Sequence, residues 1–260
     1  MESDVRLSKR LTAIADMVNT SGSAAGSPRD EYCLCDVGTD HAHIPIRLLL
    51  DGRISRSIAM DVIEGPLEKA RQNIERYGVA GRVALRLSDG LDAYRIGEAR
   101  GLVIAGMGGR IMRKILLREP SKSLDFEELI LQPQADPEFV RSAIRELGLF
   151  IDREKVVLED NKYYPVIHVS HVRTEGPDWG VHPGGEPLFR EAEDLFGPIL
   201  LRERDPMLKS YLLWQKGVND RILHSLKRAR DNSGAVLDKT ALILRKDLLI
   251  RTVLDYFDRV

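Results

Sequence analysis

The chain has 260 residues, of which 43% are hydrophobic, 30% charged and 6% aromatic. That balance excludes collagen-like, low-complexity and wholly disordered classes, and the length suits one large domain or a smaller one with an appendage. A net charge of −1 excludes a globally basic nucleic-acid binder, so any polyanion must meet a local patch. No apolar run approaches the roughly 18 residues of a membrane helix, and the opening MESDVRLSKR is too charged for a signal-peptide core. The cytoplasm is the expected compartment.

Leu7, Leu11, Ile14 and Val18 recur at helical spacing and predict an N-terminal helix, ended by breakers from Asn19 to Pro28. Short apolar runs then alternate with amphipathic stretches. Strands are expected at 32–37, 57–60, 83–87, 102–105 and 129–131, and helices at 44–50, 66–77, 109–117 and 137–147. This alternation predicts parallel βα units. Next come two apolar runs, 155–158 and 164–169, separated only by Glu159-Asp160-Asn161-Lys162, a spacing that allows only a hairpin. The expected fold is therefore α/β, a mostly parallel sheet closed by an antiparallel hairpin. Its ligand site is expected at the carboxyl ends of the first strands.

Residues 174–190 are rich in Gly and Pro and read as a linker between a sheet domain, 1–173, and a helical domain, 191–260. In the latter, Tyr211, Trp214, Val218, Ile222 and Leu226 form one stripe and Leu237, Ala241, Leu244 and Leu248 another, as for two long helices paired into a hairpin. This segment holds 13 Lys and Arg against 11 Asp and Glu. Its basic residues either bind RNA or form a solvated face.

Asp36-Val-Gly-Thr-Asp-His-Ala42 ends the first strand, with acids where a dinucleotide-binding turn would carry glycines. Acids there repel phosphate and suit a cationic nucleoside ligand. Asp61 ends the second strand 23 residues after Gly38, close to the spacing at which an acid meets ribose hydroxyls. Ser88-Asp89-Gly90 ends the third, where a carboxylate can accept from the exocyclic amine of adenine. Three strand-end acids together suggest adenosine without phosphates, although each could singly be a helix N-cap. Ala105-Gly-Met-Gly-Gly109 after the fourth strand leaves room for ligand and substrate, or is a tight turn needing positive φ. His41 and His43, with Asp36 and Asp40, could be read as metal ligands, but two histidines one residue apart at a helix start are expected to point to different faces, so no metal is expected. Cys33 and Cys35 read as reduced core thiols facing one side of a strand.

Five segments, Asp36–Pro45, Leu87–Leu91, Ile104–Gly109, Leu129–Pro133 and Glu159–Tyr164, resemble the TrmK family, bacterial tRNA methyltransferases that modify N1 of adenosine at tRNA position 22 with S-adenosylmethionine. Leu7–Leu11 and Phe196–Leu200 are also similar, so the resemblance covers nearly the whole chain. It implies a class I, Rossmann-like methyltransferase fold followed by a coiled-coil-like helical domain. It further implies that Asp36, Gly38 and His41 line the methionine end of the cofactor, that Asp61 holds the ribose, that Asp89 and Gly90 meet the adenine, and that Gly106 and Met107 border the transfer site. The Asn/Asp-Pro-Pro-aromatic motif of many adenine N6 enzymes is absent; Ala105–Gly109 stands in its place.

Adenine N1 is a Watson–Crick acceptor, so a substrate base must be opened and received in a pocket. Tyr163 and Tyr164 are candidates for an aromatic wall there, or are simply packed in a strand. Asp40 is a candidate for steering or relieving the cationic product. Arg6, Lys9 and Arg10 on the first helix, with Arg110, Arg113 and Lys114 after the fourth strand, could form one phosphate-binding strip. A methyltransferase of small molecules or proteins, or a nonenzymatic RNA-binding scaffold, is the alternative.

Overall fold

A computed structural model describes residues 5–19, 32–172, 187–229 and 233–259. The chain groups into two units, Met1–Thr174 and Glu175–Val260. The first helix, α1 (Lys9–Met17), starts where Ser8 Oγ accepts from the backbone N–H of Leu11 at 3.3 Å, a common N-cap arrangement. Strands β1 (Cys33–Val37), β2 (Arg56–Asp61), β3 (Val83–Leu87), β4 (Gly101–Gly108) and β5 (Glu128–Ala135) alternate with α2 (His43–Leu50), α3 (Glu64–Arg76), α4 (Gly109–Arg118), the short α5 (Pro120–Ser123) and α6 (Pro137–Glu146). The hairpin follows as β6 (Phe150–Glu159) and β7 (Lys162–Ser170), its turn carried by Asp160 and Asn161 at positive φ.

The seven strands lie in the order β3-β2-β1-β4-β5-β7-β6, parallel except that β7 runs antiparallel to both neighbours. This is the mixed sheet expected from the sequence. The second hairpin strand, not the first, joins the parallel strands, and β6 forms the edge.

Period-two alternation sorts the sheet into two faces. Cys33, Cys35, Leu102, Ile104, Leu129, Leu131, Ile167 and Val169 pack with residues of α4 and α6, so the two thiols share one face and are both buried and free. Leu34, Val103, Ile130 and Val166 pack on the other face with α1, α2 and α3.

Polar groups also meet inside the unit. Glu128 accepts from Tyr32 Oη, from the backbone N–H of Asn19 at 3.0 Å and from His168 Nε2 at 2.6 Å, while His168 Nδ1 bonds Asp152. Burial opposes a charge on His168, but its bonds to the two carboxylates outweigh this and raise its pKa.

The Glu175–Val260 unit holds more helices than the expected hairpin. Of the linker 174–190, residues 174–186 lie outside the described residues, and Pro187 opens α7 (Pro187–Phe196), followed by α8 (Pro198–Arg202). The expected long pair is present as α9 (Pro206–Ala229) and α10 (Gly234–Asp258), which contact each other. The expected stripe on α10 is corrected: Leu237, Leu244 and Leu248 are about half exposed, whereas Leu249, Ile250, Val253, Leu254 and Phe257 are buried. Apolar residues occupy most faces of α10, so spacing alone could not select the one that packs.

A histidine with a raised folded pKa stabilises fully below its unfolded pKa of about 6.5, and this contribution fades as pH rises through the folded value. His168→Gln should therefore cost more stability at about pH 6 than at about pH 9. Urea unfolding of both proteins across that range checks it; an equal cost at both ends would remove the imidazolium from the account.

Candidate active site

A cavity of about 650 Å³ opens at the carboxyl ends of β1, β2, β3 and β4, within the roughly 300–1,000 Å³ range of small-molecule sites. Its floor is the turn after β1 pressed against the end of β4. After β1 the backbone runs through positive φ at Gly38, Asp40 and Ala42, and a Cβ on Gly38 would lie 2.2 Å from Met107 Cε near the end of β4. Such a run of left-handed residues is costly and persists only where surrounding bonds impose it. Here the N–H groups of Gly38 and Thr39 donate to Met60 O at 2.8 and 3.0 Å, and Asn73 Nδ2 donates to His41 O at 3.0 Å.

Asp36 is buried on the cavity and accepts from Thr39 Oγ1 at 2.6 Å. Burial pushes its pKa up to about 7, against the Thr39 bond that lowers it, with the nearby Asp61 charge adding to the rise. Asp61 accepts from the backbone N–H groups of Asp40 at 3.2 Å and Ile63 at 3.1 Å. Those two donors fix its orientation, and carboxylate lone pairs remain for a diol. Val62 and Ile63, both mostly exposed, continue the wall with apolar surface. Asp89 also lines the cavity, but Arg118 Nη2 holds one oxygen at 2.7 Å, and that bond lowers its pKa. Gly90 has φ +63° and lies against Ile115.

Gly38, His41, Gly106, Met107 and Asp40 are lining residues too, so the structure gathers every expected cofactor residue and Asp40 around one space. Asp40 is exposed and 3.5 Å from His41 Nε2. His43, stacked on His41 at 5.5 Å, joins the lining with a buried Nδ1 that lacks a hydrogen-bond partner; burial, then the His41 charge, lowers its pKa. Among the described residues, no three His, Cys, Asp or Glu side chains are placed to hold a metal.

Two sequence expectations meet a different geometry. Tyr163 and Tyr164 are outside the lining, and Arg10 stands in it, over the Tyr164 ring. Strand alternation places Tyr164 on the face of α1, so its ring meets that helix before it meets the cavity. The basic strip is dispersed as well. Arg110 lies 3.1 Å from Asp136 and over Phe139, Arg113 lies 2.8 Å from Glu146, and Lys9, Arg6 and Lys114 are exposed. Sequence reasoning missed Gln132 and Gln134 at the end of β5, where a polar pair closing an apolar strand was the available signal.

A family model described as a methyltransferase domain matches residues 7–167. The chain belongs to that methyltransferase family. A tRNA (adenine(22)-N(1))-methyltransferase of Bacillus subtilis (strain 168) is 27% identical over 253 residues, 97% of this chain and 99% of that protein. Among solved structures, the Bacillus subtilis M1A22 tRNA methyltransferase TrmK aligns with a TM-score of 0.76 at 25% identity, covering 96% of this chain and 99% of that one. A Streptococcus pneumoniae protein in complex with S-adenosyl-L-methionine aligns with a TM-score of 0.72 at 28% identity, covering 96% of this chain and 100% of that one. The resemblance to TrmK read from the sequence motifs thus extends over both units of this methyltransferase.

Two outcomes test the site. Asp61→Ala should weaken S-adenosylmethionine binding tenfold or more, since charge-assisted hydrogen bonds contribute about 1.5–3 kcal/mol; calorimetry on the folded variant measures it. Because a cationic ligand favours ionised Asp36, affinity should rise with pH through about 7 in the wild type and stay flat through the same range in Asp36→Asn.

Proposed function

We propose that this methyltransferase moves the methyl group of S-adenosylmethionine to N1 of an adenosine in tRNA, at position 22, in the cytoplasm. The observation that carries the reading is a cavity in which strand-end acids stand where a phosphate-binding loop would be. It is supported by near full-length similarity to an enzyme named for that reaction. No helix among the described residues is long and apolar enough to cross a membrane.

The residues fit such a cofactor: Asp61 for the ribose, Asp89 and Gly90 for the adenine, Asp36, Gly38 and His41 for the charged amino-acid end. When bound, it supplies an electrophilic methyl group on a sulfonium. Adenine N1 has an in-plane lone pair, so the protein need not remove a proton; it must align the base and exclude water. Gly106, without a side chain, and Met107 leave a space beside the floor for the base. Methylation leaves a positive charge on the ring, and the carboxylates of Asp36 and Asp40 face the same cavity, where they favour that charge.

Outside the cavity, Arg6 just before α1, Lys9 of α1, and Arg110, Arg113 and Lys114 of α4 are the separate basic residues proposed to meet tRNA phosphates. The ion pairs of Arg110 and Arg113 are with partly exposed acids, and pairs of that kind contribute about 0–1 kcal/mol, so phosphate can compete for them. If about four phosphates are neutralised, log affinity should fall with log salt at a slope of roughly −3 to −4. Reversing Lys9 and Lys114 to Glu should flatten that slope.

The deciding experiment incubates the protein and labelled S-adenosylmethionine with tRNA, protein and metabolite pools, then maps the methylated position. Label in tRNA as N1-methyladenosine is expected. Label only in protein or metabolites would replace the substrate, and cofactor binding without any transfer would leave a scaffold.

A further inference from the structure

Arg10 lies on the lining of the cavity beside the end of β4, yet it belongs to α1, an element outside the βα units that build the cofactor residues. Its guanidinium is fixed from several sides. Nη1 donates to Gln132 Oε1 at 2.7 Å, Nε lies 3.8 Å from Glu159 Oε2, and the Tyr164 ring centre is 5.5 Å away. Glu159 also accepts from the backbone N–H of Arg10 at 3.1 Å. Gln132, fully buried, accepts in addition from the backbone N–H of Gly106 at 3.3 Å, and its amide donates to Pro133 O at 2.9 Å. One buried amide thus ties the arginine to the irregular end of β4 at Gly106.

Strand parity explains why these groups converge. Gln132 follows Ile130 by two along β5, and Tyr164 precedes Val166 by two along β7; Ile130 and Val166 both pack on the α1 face. The helix therefore lies between the tyrosine and the cavity. An arginine bonded to glutamine, facing a carboxylate and only 20% exposed is badly placed to follow a phosphate backbone. What it presents is a planar, weakly hydrated group of set orientation, a surface on which splayed bases stack in RNA-binding proteins.

We propose that Arg10, backed by Tyr164 and oriented by Gln132 and Glu159, is the wall of the cavity against which the target purine stacks. It takes the place of the aromatic wall expected from Tyr163 and Tyr164. The inference rests on the tRNA reading above and concerns how that site holds its base.

Arg10→Lys keeps the positive charge and loses the plane, so it separates stacking from phosphate attraction. Stacking of a base is worth about 1–3 kcal/mol, or roughly 5- to 150-fold, and Arg10→Lys should lower kcat/KM for tRNA within that range. S-adenosylmethionine affinity and the salt slope of tRNA binding should stay at wild-type values. Tyr164→Leu should cause a smaller loss, and Tyr164→Phe, which keeps the ring, none. A second readout needs no transfer: tRNA carrying 2-aminopurine at the target position should be quenched on binding the wild type and brighter on Arg10→Lys and Tyr164→Leu. Wild-type kcat/KM in Arg10→Lys, or a flattened salt slope, overturns the proposal. If Arg10→Lys also loses cofactor affinity, Tyr164→Leu decides, and wild-type quenching in that variant overturns it. A wild-type protein that binds S-adenosylmethionine but methylates no tRNA overturns the tRNA reading and this inference with it.

Discussion

The structure depends on a divergence between two neighbouring strands. After β1 the chain crosses to the face packed by α1, α2 and α3; after β4 it crosses to the face packed by α4 and α6. Strands that send their connections to opposite faces leave a crevice at their carboxyl ends, and here the turn leaving β1 touches the end of β4, Gly38 against Met107. A side chain at residue 38 would press into that contact at a positive φ, so glycine there serves both the turn and the close approach. The cofactor residues read from the sequence stand at the carboxyl ends of β1 and β4 and of the neighbouring β2 and β3.

The crevice has the electrostatics of a site for a cation. Its acids are held in three different ways: Asp36 by burial beside Thr39, Asp61 by two backbone amides, Asp89 by Arg118. Burial raises the pKa of Asp36, and the bond from Arg118 lowers that of Asp89. Asp36, whose pKa is pushed up to about 7, is the one whose charge depends on what enters. The same cavity thus distinguishes a positively charged ligand from a phosphate-bearing one before any shape is considered.

The first helix binds the far half of the sheet to this site. Arg10 reaches Gln132 on β5 and Glu159 on β6, Arg153 donates to Met17 O at 2.9 Å, and the backbone of Asn19 meets Glu128. The hairpin and the helix are therefore braced against each other, and through Gln132 the brace ends on the Gly106 backbone.

Local periodicity determined much of this protein from sequence alone. Strand and helix positions through α6, the hairpin, and the acids at strand ends were legible because each depends on neighbours along the chain: alternation by two, recurrence by three or four, an acid where a strand stops. Tertiary structure decided what depends on partners distant in sequence. It placed β7 between β5 and β6, a matter of which hairpin strand offers its free edge to β5. Arg10 stands in front of Tyr164 because strand parity sets the tyrosine beneath a helix more than 140 residues away in sequence. Asp136 and Glu146 pair with Arg110 and Arg113 because α6 packs beside α4. In α10, apolar residues surround the helix, and the face that is buried was chosen by the helices packed against it, since a pattern without a single stripe names no face.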